Sequence, residues 1–240
     1  HRRSATGGSG STACTARCGS SHRLLARRIA TVLSMRWLVG GQVFDTMSGT
    51  FRRADLGIEG GRIVTVAEGG HRGAGPDAID VSGLWLLPGL IDCHVHLTQP
   101  TDAGDPAKAA ARTDAAVALY TAAAAERTLL GGVTTVRDVG GWNYVEMDVR
   151  DAIRAGALRG PRMFLAGKLL SITTSTADYY PGMYDVADGA DSVRAAARRQ
   201  LAHGADLIKV MATGAMLSSE SEDSRAIQFT PEELRAAVEI

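Results

Sequence analysis

Short apolar runs separated by glycine-rich turns fill residues 36–86, the pattern of strands joined by tight turns. Trp37–Phe44, Ala54–Glu59, Arg62–Ala67 and Ala78–Val81 read as strands, with Glu59-Gly60-Gly61-Arg62 as a hairpin link and Glu68–Pro76 as a glycine-rich loop. These strands are too few to close a sandwich, so residues 35–86 are expected to form part of a small β-sandwich. From Gly89 the period changes, and strands alternate with helices as in a parallel sheet. The predicted order is strand Leu90–Leu97, helix Thr113–Leu130, strand Val133–Val139, helix Tyr144–Ala155, strand Arg162–Ala166, helix from Asp191 to Gly204, and strand Asp206–Met211. In the third helix the stripe Val193, Ala197, Leu201 is expected to face the sheet. A fourth helix starts at Pro231, where Thr230 caps and Glu233 completes a capping box. Four β/α units in about 150 residues is the pace of a (β/α)8 barrel, which needs about 250. The fold class is therefore α/β: residues 87–240 as the N-terminal half of a TIM barrel, preceded by the partial sandwich.

Residues 1–34 carry no consistent period and read as a disordered or non-native leader. Seven arginines precede the first acidic residue, Asp45. An Arg-rich, Ser-rich, acid-free leader fits a transit peptide, and it equally fits translated sequence upstream of a start at Met35. The second reading is preferred, because Arg27 and Arg28 break the apolar stretch Leu24–Leu33. With the final helix reaching Ile240 without a stop signal, the chain reads as a fragment.

Acidic and basic residues balance, 26 against 26, so no global field points to nucleic acid or an anionic membrane. No apolar run approaches a membrane span. Three cysteines make no disulfide framework, which fits a cytoplasmic protein, and Cys14 and Cys18 have no second pair to complete a metal site. A homo-oligomer is compatible with this surface chemistry.

The chemistry is concentrated at Leu87-Pro88-Gly89-Leu90-Ile91-Asp92-Cys93-His94-Val95-His96-Leu97. Successive strand side chains face opposite ways, so His94 and His96 share one face while Cys93 and Val95 share the other. Two imidazoles on one face at the end of an apolar strand are half of a metal site, or a hydrogen-bonded pair of strand histidines. Lys209 occupies the matching end of the fourth strand, with Leu207 and Met211 on its own face. Burial lowers a lysine pKa, and the neutral amine so produced can act as a nucleophile or take up carbon dioxide.

Three blocks carry a resemblance: Leu87 to His96, then Gly132-Val133-Thr134-Thr135-Val136-Arg137-Asp138-Val139-Gly140-Gly141, then Gly204-Ala205-Asp206-Leu207-Ile208-Lys209-Val210-Met211-Ala212-Thr213-Gly214. In order and position they resemble the amidohydrolase superfamily, within it the imidazolonepropionase-related branch that includes Xaa-Pro dipeptidases. The resemblance implies that His94 and His96 ligate the more buried of two divalent ions, usually zinc. It further implies that Lys209, carboxylated, bridges the pair, and that a metal-activated water cleaves the C–N bond of a small amide or peptide-like substrate. Two more histidines and a proton-moving aspartate come, in that family, from strands beyond this chain, so no residue here takes the general acid/base role and the isolated chain is expected to be inactive. One departure lies after the third strand: relatives often carry Gly-Gly-His-Gly there, whereas this chain reads Ser171 to Tyr180 with no histidine. Tyr179, Tyr180 and Tyr184 become the candidates for lining the substrate pocket. Asp138 is expected either to orient a ligand or to pair with an arginine, and His203 to answer the C-terminal dipole of its helix. A mononuclear deaminase of the same superfamily and a metal-free scaffold on the same barrel are the alternative readings.

Overall fold

The computed structural model describes residues 35–68, 75–99, 111–180, 182–215 and 222–240. The leader and the Cys14/Cys18 pair lie outside the described residues. The chain divides into two compact units, one ending at Pro88 and one beginning at Gly89.

In the first unit β1 (Arg36–Asp45), β2 (Thr50–Glu59) and β3 (Arg62–Glu68) form an antiparallel meander, while β4 (Ile79–Asp80) and β5 (Trp85–Leu86) pair in parallel with the free edge of β1. The β2–β3 hairpin turns through Gly60 and Gly61, both at positive φ, which the turn requires and glycine supplies without steric cost. Trp37, Ala54, Leu56 and Val81 are buried, and the buried Asp55 carboxylate accepts the Gly40 N–H at 2.7 Å. The predicted strand at 78–81 shrinks to two residues. β5 escaped prediction because two residues carry no period.

The second unit is a parallel β/α array. β6 (Leu90–Val95), β7 (Val133–Asp138) and β8 (Arg162–Leu165) lie side by side in sequence order. Between them run α1 (Asp114–Leu130) and α2 (Val145–Arg154), followed by α3 (Ser175–Tyr179), α4 (Ala190–Ala202) and α5 (Pro231–Val238). α1 is capped by Thr113 and buries Val117, Thr121 and Ala125, one residue per turn. Val136, Met163, Leu165, Leu97 and Met147 join Ala125 in one apolar cluster between sheet and helices. A second cluster joins Leu170, Val193, Ala196, Ala197, Phe229 and Ala237, which packs α4 and α5 over the end of the sheet. The capping box of α5 forms as predicted, Thr230 and Glu233 each accepting the other's backbone N–H. No helix among the described residues is long and apolar enough to cross a membrane.

Three expectations change. The predicted fourth strand, 206–211, is reduced to one parallel bridge between Val210 and Leu170. Its path still runs beside the sheet, with Asp206 N–H to Leu165 O, Leu170 N–H to Lys209 O and Met211 N–H to Leu170 O. Side chains take the ladder's remaining donors: the Asp206 carboxylate accepts Leu165 N–H and the Gln200 amide oxygen accepts Lys168 N–H, both at 2.9 Å. Next, the long loop after β8 holds two short parallel strands, β9 (Leu169–Ser171) and β10 (Tyr184–Val186), with α3 between them. Finally, Leu201 is 41% exposed and Gln200 takes its buried place, because the helical step from Val193 reaches residue 200 and the Gln200 amide finds partners on Lys168, Asp185 and Ala196.

Candidate metal centre

His94 and His96 sit at the C-terminal end of β6. Between Asp92 and Val95 the register slips, Asp92 lying opposite Val136 and Val95 opposite Asp138, so β6 accommodates one more residue than β7. The Asp92 carboxylate accepts the His94 N–H at 3.0 Å and closes this irregular turn. Val95 and Leu97 pack into the helix-side cluster, while His94 and His96 line a cleft on the opposite side. Cys93 is exposed, as are its strand neighbours Leu90 to His94. The imidazole rings lie edge to face with centroids 5.4 Å apart.

His96 is the better anchored of the two. Its Nδ1 lies 2.9 Å from the Gly140 carbonyl. A carbonyl can only accept, so Nδ1 carries the hydrogen and the Nε2 lone pair is left free. Burial pushes the His96 pKa down, which keeps the ring neutral; the Gly140 bond opposes this, and His94 and Lys209 lower it further. Asp138 supports the same turn from behind: its carboxylate accepts Leu97 N–H at 2.8 Å and Gly140 N–H at 3.1 Å. Of its two expected roles it takes the one that orients the histidine's surroundings, drawing its bonds from backbone rather than from an arginine.

Lys209 lines the same cleft, half-buried, while its neighbours Ile208 and Val210 pack against the apolar cluster of α4 and α5. Burial lowers its pKa, and the nearby Arg137 guanidinium adds to the shift. Arg137 is itself tied to β6 through Nε–H to the Cys93 carbonyl at 2.7 Å. The cleft has a volume of about 520 Å³, and Tyr180, Tyr184, Met183, Leu169 and Met211 form its apolar wall. Burial, with Glu222 and Tyr180 adding to it, pushes the Tyr184 phenol up to about 12, so it stays a hydrogen-bond donor. Tyr179 belongs to α3, but its side chain lies outside the described residues. A second cleft, of about 560 Å³ between α4 and α5, is lined by Asp188, Asp191, Arg194, Glu232 and Arg235 and has no imidazole or lysine.

Residues 85–240 match the amidohydrolase family. The chain belongs to that family. Ochratoxinase of Aspergillus niger is 33% identical over 177 residues, 64% of this chain and 36% of that protein. A dihydroorotase of Trichlorobacter lovleyi is 41% identical over 61 residues, a quarter of this chain and 14% of that protein. Among solved structures, a Xaa-Pro dipeptidase with methionine in its active site is 34% identical, with a TM-score of 0.76 over 86% of this chain and 53% of that one. A family member described only as an amidohydrolase is 30% identical with a TM-score of 0.75 over 86% and 53%. The chain thus spans about a third of the length of ochratoxinase and about half of these structures, in keeping with the first half of a family barrel.

Among the described residues no three His, Cys, Asp or Glu side chains cluster as a complete site. Two imidazoles facing one cleft suit a divalent cation as partial ligands, and Lys209 joins them only as an unprotonated amine or a carbamate. Pattern reading missed three supports of the cleft. Gln99 donates its Nε2–H to Met183 Sδ at 2.9 Å and fixes one rim. Glu222 accepts the N–H groups of Thr176 and Ala215, each at 2.9 Å, and so ties α3 to the loop after Lys209. Burial raises its pKa, but these bonds outweigh that and bring it to about 2. The third is Glu146, whose only sequence signal is a carboxylate among the apolar positions of an amphipathic helix. His203 sits at the C-cap of α4, where it was expected, and its ring stacks on that of Tyr144 with centroids 3.7 Å apart.

Proposed function

We propose that the chain supplies the N-terminal part of a binuclear hydrolase of amide or peptide-like C–N bonds, with His94, His96 and carboxylated Lys209 holding two divalent cations, zinc by preference. The observation that carries this reading is the convergence of all three side chains on one cleft, with the His96 Nε2 lone pair kept free by the Nδ1 bond to Gly140. The family relatives named ochratoxinase and Xaa-Pro dipeptidase support the C–N bond as the target. Bound cations would supply a Lewis acid that polarises the scissile carbonyl and lowers the pKa of water.

The chain's own residues do the positioning. His94 and His96 present their imidazoles from one strand end, His96 with burial favouring its neutral form. Burial and the Arg137 charge disfavour the Lys209 ammonium, the state that can neither ligate nor take up carbon dioxide. Tyr180, Met183, Tyr184 and Met211 offer an apolar wall to the substrate's side chain, and the Tyr184 hydroxyl remains a donor. A lysine facing the imidazoles disfavours the mononuclear deaminase, which has no use for a bridging carbamate, and the retained donors disfavour a metal-free scaffold.

The test is zinc titration of the full chain beside His94→Ala, His96→Ala and Lys209→Ala, followed by amide hydrolysis once the second half of a family barrel is supplied as a fusion. Each substitution should weaken zinc binding by about tenfold or more. Recovery of hydrolysis in the Lys209→Ala fusion on adding a short carboxylic acid would support the carbamate. Wild-type affinity in all three variants would sink the assignment.

A further inference from the structure

Glu146 is fully buried on the first turn of α2, and neither of its carboxyl oxygens has a hydrogen-bond partner. We propose that Glu146 is a positioning residue for His96: an uncharged acid, wedged behind the Gly140-Gly141 turn, that fixes the orientation of the imidazole. The proposal rests on the reading of His96 as a metal ligand.

The geometry forms a short chain of contacts. The Glu146 carboxyl fills the space that a side chain on residue 141 would occupy, so Gly141 is the floor on which it lies. Gly141 donates its N–H to Gly167 O at 2.8 Å, and the preceding Gly140 holds both the His96 ring through its carbonyl and the Asp138 carboxylate through its N–H. Asp138 also takes the N–H of Leu97, the residue after His96. Glu146 packs against this turn from one side and the Asp138 bonds tie it from the other. Glu146 cannot swing away, because its neighbours Val145 and Met147 pack into two different apolar clusters. Asn143 and Tyr144 enter the helix with φ of 50° and 64°, a left-handed pair that the Tyr144–His203 stack and the Asn143 bonds to Gly182 and Asp114 hold in place.

Glu146 is uncharged for a geometric reason. Asp138 and Glu146 are both buried and close enough for the charge on one to oppose ionisation of the other. Asp138 has two N–H donors to stabilise a negative charge, whereas Glu146 has none. Arg150 and Arg154, the cations on the same helix, spend their guanidinium groups elsewhere, Arg150 on Asp151, Gly204 O and Asp206 and Arg154 on Asp151 and Asp206. The proton therefore stays with Glu146.

The test uses the full chain with Glu146→Gln and Glu146→Ala. Infrared difference spectra report protonated carboxyl groups, and nitrogen-15 imidazole spectra report the His96 tautomer. At neutral pH the wild type should show a protonated-carboxyl band that Glu146→Gln removes, any band left in that variant belonging to Asp138, with the His96 Nδ1–H tautomer unchanged there. Glu146→Ala should lose the single tautomer and weaken zinc binding about tenfold or more, while Glu146→Gln stays within about twofold of the wild type. A wild type without the band, a His96 signal altered by Glu146→Gln, or one unaltered by Glu146→Ala overturns the proposal. Should Glu146→Ala fail to fold, the band and the Glu146→Gln spectrum decide alone. A wild type that binds no zinc removes the metal reading of the cleft, and the band and tautomer still decide what Glu146 does for His96.

Discussion

At the scale of single residues, the buried carboxyl pair makes two measurable predictions. Burial raises Asp138 to about 7, against the bonds from Leu97 and Gly140. Burial, with the neighbouring Asp138, raises Glu146 to about 8, Arg150 opposing and Asp148 adding a little. Both folded values lie above the unfolded ones, so the native state binds more protons than the unfolded chain across the interval between them. Stability then falls as pH rises toward the folded values. Between about pH 6.5 and pH 8.5 the Glu146 share of that loss should be about 1–2 kcal/mol, read as the difference between wild type and Glu146→Gln in urea midpoints. A Glu146→Gln profile parallel to the wild type would refute the shift. Gly141→Ala is the steric counterpart: its methyl competes with the Glu146 carboxyl, at a cost of about 1–3 kcal/mol that should shrink when Glu146→Ala is added. Denaturation of the two single variants and the double variant measures that coupling.

Elements show what could be read in the chain and what could not. β6 and β7, both long helices of the barrel half and the α5 capping box follow from local signals: apolar runs, period 3.6, and the Thr230/Glu233 pair. The blurred fourth strand has a tertiary cause. Nothing in the run 206–211 announces that Asp206 will spend its carboxylate on Leu165 N–H and on the Arg150 guanidinium, 3.4 Å away. β9 and β10 are three residues each, too short for a period, and exist because they pair with each other. The site divides in the same way. His94, His96 and Lys209 stand out as residue types that are costly on apolar strands, whereas Gln99 and Glu222 act through partners far away in sequence and Glu146 acts through its burial against Gly141. Asp206→Ala tests one such long-range link. It should cost about 1–3 kcal/mol, because the half-buried contact with Arg150 and the Leu165 N–H bond are lost together, and calorimetric unfolding would show it. Thr230→Ala, which removes only a cap, should cost about 1 kcal/mol.

On the scale of the whole chain, the open side of the half-barrel governs behaviour in solution. Among the described strands β6 pairs with β7 alone, leaving its other edge without a neighbour in the sheet. The side chains at that edge are apolar, with Leu90 57% and Ile91 66% exposed. Unpaired N–H and C=O groups beside exposed branched side chains are a template for strand addition from another molecule, and a charge placed there blocks it. Wild-type chain should therefore associate with rising concentration, and Ile91→Lys should shift that association to higher concentration without altering His94 and His96, three and five residues away. Light scattering across a concentration series compares the two. Equal scattering from both proteins would mean that association, if present, uses another surface. Reduced scattering with unchanged zinc affinity would separate the edge of the sheet from the cleft at its end.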